Sequence, residues 1–318
     1  MNALVTVMGI YVADLSFWAP RMPKIGETIL GSGFATGPGG KGSNQAVAAS
    51  RAGAEVSFIT KIGKDDLAEQ IRQLYSQEGI DQQFVFESPD LATGAAFIFK
   101  DRETGDNAII VSVGAAGDLR PEDIDAAGGR IAASKIFMTQ LETPVEVAAH
   151  GLKIARKAQV TTILNPAPSR PLPDSIYPLV DYFTPNETEA AALAGFAVDT
   201  PEEAIAAGKV FIGYGVGAAI VTLGGQGVVF VNGGEGKHIA PFDIGTVVDT
   251  TGAGDAFNGG LAAALAMGMD IDAAIEFGGA TGALSVTKDG TAPSMPNRSE
   301  IEALVKRGKS ATGGRVNA

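Results

Sequence analysis

The chain has 318 residues, 45% hydrophobic and 19% charged, so it can bury a substantial core and is not a disordered polymer. Its net charge of -12 argues against a general nucleic-acid or membrane-surface binder. With no cysteine it has no disulfides, thiolate catalysis or Cys-based metal site, and its two histidines, His150 and His238, argue against a multi-His metal site or a Ser-His-Asp triad.

Leu4–Val12 is a continuous apolar run, the pattern of a central strand. It follows a short N-terminus without a basic leader, so a buried first strand is favoured over a signal peptide. Pro20, Pro23, Gly26, Gly31 and Gly33 then interrupt residues 17–37. Gln45–Ala54 predicts a helix, Val56–Thr60 a strand and Asp65–Glu78 a helix. Residues 84–113 change the rhythm. FVFE, GAAFIFK and NAIIVSV are β-rich runs separated by turn residues such as Ser88-Pro89 and Gly105-Asp106, and they predict consecutive antiparallel strands.

Alternation resumes after Pro121. Helix 121–132 leads to strand Lys135–Thr139, and helix Val145–Ala158 to strand Thr161–Asn165. A short helix near 175–180 precedes strand Asp181–Thr184 and helix Glu187–Ala194. Helix Pro201–Ile212 leads to strand Ala218–Leu223. Repeated strand–helix units predict an α/β fold with a mostly parallel sheet covered on both faces. The interruptions at about 13–38 and 93–113 are expected to pair as a small accessory β-sheet. Residues 1–306 are read as one domain and 307–318 as a flexible tail. No run of 18 apolar residues suggests a membrane span, and a cytoplasmic protein is expected. Ligands in such folds bind outside the carboxyl ends of the strands, so the loops after Val12, Thr139, Asn165, Thr184 and Leu223 should line the site.

Two glycine-rich stretches carry the chemistry. TGPGGKGSNQA, residues 36–46, places Gly37, Gly39 and Gly42 at the G-x-G-x-x-G spacing of dinucleotide sites. That motif requires the loop to follow the first strand directly, yet 24 residues separate Val12 from Gly37. A nucleotide P-loop would need glycine where Ala35 stands and Ser or Thr where Gly42 stands. The loop therefore fits neither nucleotide motif, and its Asn44 can both donate and accept hydrogen bonds.

DTTGAGDAFNGG, residues 249–260, runs into the apolar-rich helix Ala256–Met267. Small residues before a helix leave backbone N–H groups uncrowded, and the helix N-terminus adds positive potential, which together make an anion hole. Asp255 sits beside it. Aspartate is a good helix cap, but a carboxylate next to a phosphate-sized hole is also what phosphoryl transfer to an alcohol needs. The two roles are compatible.

DTTGAGDAFNGG resembles the C-terminal signature of the PfkB/ribokinase carbohydrate kinases. Gly39, Gly40, Gly42 and Asn44, with Gly53 and Gly63, resemble the family's N-terminal signature, and TQLET, LNPAP, TPNETE and TLGGQG follow in order. The resemblance runs from about residue 4 to 306 and is strongest to the family's ribokinases. It implies a three-layer α/β/α fold with the accessory sheet as a lid. It implies a kinase that moves the γ-phosphate of ATP to the 5-hydroxyl of D-ribose, with 2-deoxyribose or another small sugar or nucleoside as the alternative.

By the same resemblance Asp255 is the base, and Gly252, Ala253 and Gly254 form the anion hole. The sugar contacts are Val12, Asp14, Gly40, Lys41, Asn44, Glu142 and Asp255. The ATP contacts are Asn186, Thr222, Leu223, Gly224, Gly225, Gln226, Gly227, Gly254 and Gly279. Asn186 and Glu189 serve Mg²⁺ through water, with a helix start as the plain structural alternative. Asp249, Thr251, Ser285, Lys288, Gly290 and Ser294 match a monovalent-cation site, usually for K⁺. The family's ribokinases carry an asparagine two residues before Asp14, where this chain has Val12, which cannot hydrogen-bond a hydroxyl. A homodimer through the lid is expected.

Overall fold

The computed structural model describes residues 3–101 and 107–313. The first strand is β1 (Leu4–Met8), every residue of it buried. The apolar run continues to Val12, but the chain leaves the strand at Gly9 and re-enters a second one, β2 (Val12–Trp18), in a different sheet. Then come β3 (Gly33–Gly39), α1 (Lys41–Arg51), β4 (Glu55–Ile62) and α2 (Asp66–Gln77), the last capped by the Asp65 carboxylate accepting from Ala68 N–H at 2.9 Å.

Next are β5 (Val85–Glu87), β6 (Thr93–Lys100) and β7 (Asn107–Gly114). The expectation of three consecutive antiparallel strands fails for the first: β5 pairs parallel to β4 at the edge of the large sheet. Only β6 and β7 are antiparallel neighbours. A short apolar run does not say which sheet will take it. The turn at Gly105-Asp106 lies outside the described residues.

The expected helix over 121–132 is two, α3 (Pro121–Ala126) and α4 (Gly128–Ala133), with Gly128 and Gly129 opening the second. Then follow β8 (Ile136–Thr139), α5 (Val145–Lys157), β9 (Thr161–Leu164) and β10 (Tyr182–Phe183). The helices α6 (Glu187–Ala194) and α7 (Pro201–Gly213) each start in a reciprocal capping box, Asn186 with Glu189 and Thr200 with Glu203. After β11 (Ala218–Thr222) the chain turns back into β12 (Val228–Asn232) and β13 (Glu235–Ile239), an antiparallel extension of the sheet that sequence reading did not pick out. Three helices finish the chain: α8 (Ala253–Ala266), α9 (Ile271–Ser285) and α10 (Arg298–Gly313). The last covers part of the expected tail 307–318, and residues 314–318 lie outside the described residues.

The large sheet has nine strands in the order β13-β12-β11-β10-β9-β8-β1-β4-β5. Its middle is parallel, as strand–helix alternation demands. Successive residues of one strand feed opposite cores. Val5 and Val7 of β1 pack with α1, α2, α8 and α9, whereas Met8 packs with α5 and α7. This is the three-layer α/β/α arrangement. A separate four-stranded sheet, β3-β2-β6-β7, stands at the edge of the body. It is built from the two expected interruptions, and a small apolar cluster of Ile10, Val12, Ala96 and Ala116 seals the seam. No helix among the described residues is long and apolar enough to cross a membrane.

Candidate active site

The carboxyl ends of β8, β9 and β10, the N-termini of α1 and α8 and the lid strands β2 and β3 converge on Asp255. It sits in the first turn of α8 and is only 6% exposed. Its cap residue, Gly252, has a left-handed backbone, φ 80°, and no side chain caps this helix. Ala253 N–H is taken by the Thr250 carbonyl at 3.2 Å, and Ala256 N–H by the Gly252 carbonyl at 2.8 Å. The Gly252, Gly254 and Asp255 N–H groups have no backbone acceptor, so they are the donors this turn offers an anion. The plain reading of Asp255 as a cap is not what the structure has: the carboxylate accepts from side chains instead. Asn44 Nδ2 donates to Oδ2 at 3.1 Å, and Gln45 Nε2 to Oδ1 at 3.0 Å.

Asn44 belongs to α1, which begins at Lys41, four residues earlier than its apolar pattern suggests. Its own Oδ1 is buried and unpartnered. A buried acceptor left unpaired costs about 1–3 kcal/mol, so its position invites a hydroxyl donor. Lys41 starts the same helix. Its N–H donates to Glu142 Oε2 at 2.8 Å, and the nearby Asp255 carboxylate raises the pKa of its amine. Asp14, on β2, lies against β3. A Cβ at Gly39 would overlap the Asp14 carboxylate, so glycine there is needed for the close pass. Gly42 has a different reason. It lies within α1 and backs onto Gly9 and Gln140, so it serves helix–strand packing rather than ligand approach.

Burial pushes the Asp14 carboxyl up to about 6 and the Glu142 carboxyl up to about 7, the latter held back by the Lys41 N–H and its charge. Folding thus favours the neutral form of Glu142. Its contribution to stability is most favourable below about pH 4.5, its ordinary value, and is lost as pH rises toward 7. Glu142→Gln keeps an acceptor for Lys41 N–H but cannot ionise. Thermal melts of the unliganded protein should show the variant gaining about 3 kcal/mol on wild type between about pH 5 and pH 8. A difference in Tm that does not change with pH would rule this out.

Val12 is 3% exposed and packs with Ile10, Ala96 and Ala116. Alternation along β2 puts it on the same side as Asp14, so this flank of the pocket is apolar.

Besides Gly254, the positions expected to contact ATP fall on the loops after β10 and β11 and on α9. Thr222 N–H donates to the Pro185 carbonyl at 3.0 Å, and Asn186 bridges Thr222, which joins the TPNETE and TLGGQG loops. Gly224–Gln226 form a 3-10 turn beside Glu187, and Gly227 ends it. The Leu223 side chain is buried in the core, so only its backbone is left to contact a ligand. Gly279 on α9 lies beneath the Phe242 ring.

Asn186 Oδ1 accepts from Glu189 N–H at 2.8 Å and Glu189 Oε2 from Asn186 N–H at 2.9 Å, so the helix-start reading of this pair is realised. That box occupies one oxygen of Glu189. Its carboxyl is raised by burial and feels both Lys41 and Asp255, so a hard-oxygen group does face the cluster, as Mg²⁺ chemistry needs. Among the described residues no three acidic or histidine side chains form a metal cage. Asp249 accepts from Thr251 N–H at 2.8 Å and Gly290 N–H at 3.2 Å. Asp249 and Val248 N–H groups both donate to the Val286 carbonyl. Segments 249–251 and 285–294 are thus tied together by backbone hydrogen bonds and the Asp249 carboxylate. The Lys288 ammonium turns away to Glu300, and the Ser285 and Ser294 hydroxyls donate to the Gly282 and Thr291 carbonyls.

A family model described as pfkB family carbohydrate kinase matches residues 2–298. The chain belongs to the pfkB family of carbohydrate kinases. Among curated relatives, a ribokinase of Haemophilus influenzae is 39% identical over 300 residues, covering 94% of this chain and 97% of its own. A deoxyribokinase of Salmonella typhi is 36% identical over 294 residues, covering 92% and 95%. Among solved structures, an Arabidopsis thaliana ribokinase complexed with ribose and ATP superposes with a TM-score of 0.89 at 29% identity, over 96% of this chain and 99% of that one. The ribokinase-like fold and the accessory sheet expected from sequence are therefore present in this ATP-dependent sugar kinase.

Sequence reading missed part of the kinase's site. Gln45, Gln140, Asn165, Thr184 and Asn258 form a buried polar network behind Asp255. The available signal was polar residues at the ends of otherwise apolar strands, in TQLET and LNPAP. Such residues must find partners, and a functional cluster is where they do.

Proposed function

We propose that this carbohydrate kinase moves the γ-phosphoryl group of ATP to the 5-hydroxyl of D-ribose, giving ribose 5-phosphate and ADP. The observation that carries the reading is Asp255, buried at a helix N-terminus between the open N–H groups of its turn and the sugar-side helix α1. Asp14, Lys41, Asn44 and Glu142 line the sugar side, with Gly40 opening α1. Asp255 takes the hydroxyl proton as the sugar oxygen bonds to the γ-phosphorus and the bond to the β-phosphate oxygen breaks. The N–H groups of the 252–255 turn face the charge on the transferring oxygens, where a loose transition state carries it. Asn186, Thr222–Gly227 and Gly279 flank the nucleotide. Asn186 and Glu189 serve Mg²⁺ through water, and that ion neutralises phosphate charge. Asp249, Thr251, Ser285, Lys288, Gly290 and Ser294 would hold K⁺, several of them through backbone carbonyls, and the ion would order the turn before α8.

The test is a coupled assay with ATP and Mg²⁺ over ribose, 2-deoxyribose and other pentoses. A kcat/KM for 2-deoxyribose more than about tenfold above that for ribose overturns the ribose assignment. The apolar surround of Val12 favours that second reading, and the likeness to a deoxyribokinase is consistent with it.

The lid leaves Ile109, Ile110, Val111 and Phe34 exposed, Ile110 at 66%. Apolar area of this kind marks an interaction surface, and we assign it to a second copy of the chain. Sedimentation at micromolar concentration should give twice 32.4 kDa; a monomer counts against the dimer.

A further inference from the structure

Behind Asp255 lies a chain of buried side-chain amides in which Asn165 and Asn258 are fixed by partners on both ends, while Gln140 Oε1, like Asn44 Oδ1, has no partner. Gln140 Nε2 donates to Gln45 Oε1. The Gln45 carboxamide, fully buried, presents its NH₂ to the other side, where it donates to Asp255 Oδ1 at 3.0 Å and Asn165 Oδ1 at 3.1 Å. Asn165 in turn donates through Nδ2 to the Thr184 carbonyl at 2.8 Å. The Thr184 hydroxyl pairs with Asn258 Oδ1 at 2.6 Å, and Asn258 Nδ2 donates to the Gly254 carbonyl at 2.8 Å. The chain therefore runs from the carboxylate of Asp255 through the ends of β9 and β10 and back to the turn that presents the N–H groups.

We propose that Gln45 is a positioning residue for phosphoryl transfer, its NH₂ held by the Asn165 acceptor so that it fixes the plane of the Asp255 carboxylate relative to the 252–255 turn. The inference rests on Asp255 being the base. Asn44, the other donor to Asp255, has an unpartnered Oδ1 and is free to turn over, so it cannot set the carboxylate plane by itself. Gln45 cannot turn over without placing its oxygen against two acceptors. Charged groups that also act on this cluster are Lys41 on α1, Glu142 after β8 and Glu189 on α6. They make no part of the amide chain.

The experiment is a double-mutant cycle on the full chain with Gln45→Met and Asp255→Asn, read by steady-state kinetics, with sugar and nucleotide binding followed by calorimetry. Gln45→Met is expected to lower kcat about 10–100-fold with KM for the sugar changed less than threefold. In the Asp255→Asn background the same substitution should cost less than threefold, because the group it positions is gone. A merely structural role would cost the same in both backgrounds, and that outcome, or an unchanged kcat in Gln45→Met, overturns the proposal. If Gln45→Met lacks a cooperative melt, Asn165→Leu is read in the same cycle, since it removes the acceptor that holds the Gln45 NH₂. If Asp255→Asn itself keeps wild-type turnover, the base assignment fails, and that result is separate from the behaviour of Gln45.

Discussion

Asp255→Asn is expected to lower kcat for sugar phosphorylation by about 10²–10⁴-fold, the usual range for a general base, with little change in melting temperature. The structure says why the fold should tolerate the change. Asp255 accepts one amide donor on each oxygen. An asparagine can keep its oxygen toward Gln45, whose NH₂ is held by the Asn165 acceptor. Its own NH₂ then faces Asn44, and Asn44 can turn over to accept it because Oδ1 of Asn44 has no other partner. Packing is retained while the proton acceptor is lost. Sugar affinity by calorimetry should stay within a few-fold, so the loss appears in kcat rather than KM. Turnover equal to wild type would refute the role of Asp255.

Val12→Asn is expected to raise kcat/KM for ribose relative to 2-deoxyribose by roughly tenfold to a hundredfold, the worth of one hydrogen bond to a hydroxyl in a dry site. Val12 is buried on the pocket side of β2 with Ile10, Ala96 and Ala116 around it. An asparagine there satisfies its carboxamide only when a sugar hydroxyl is present, so the unliganded variant should melt earlier than wild type. Added ribose should restore more of that loss than added 2-deoxyribose. Equal selectivity in variant and wild type would show that this position does not read a sugar hydroxyl.

Much of the site was legible before any coordinates. The helix start at Asn186 was visible as an N-x-x-E spacing, and it is a capping box. The glycine run at 252–254 predicted a turn with open N–H groups, and two are open, although Ala253 spends its own on Thr250. Asp14 was read as ending the first strand, but it lies inside β2 of the small sheet, because the chain leaves β1 at Gly9. Legibility failed where partners come from far along the chain. β5 joins the large sheet because β4 offers it an open edge, which no local pattern of FVFE records. Gly42 matches a ligand motif, but its neighbours are Gly9 and Gln140.

By itself the sequence determined the layered α/β fold, because strand and helix periods are written locally, and it determined the family, because two signatures stand in order along the chain. The tertiary structure alone decided how Asp255 is held. Its two donors lie 211 and 210 residues away, and the amide behind it is held by an acceptor 120 residues from Gln45. A hydrogen bond's direction depends on which atoms meet in space, and spacing along a chain carries no record of that meeting.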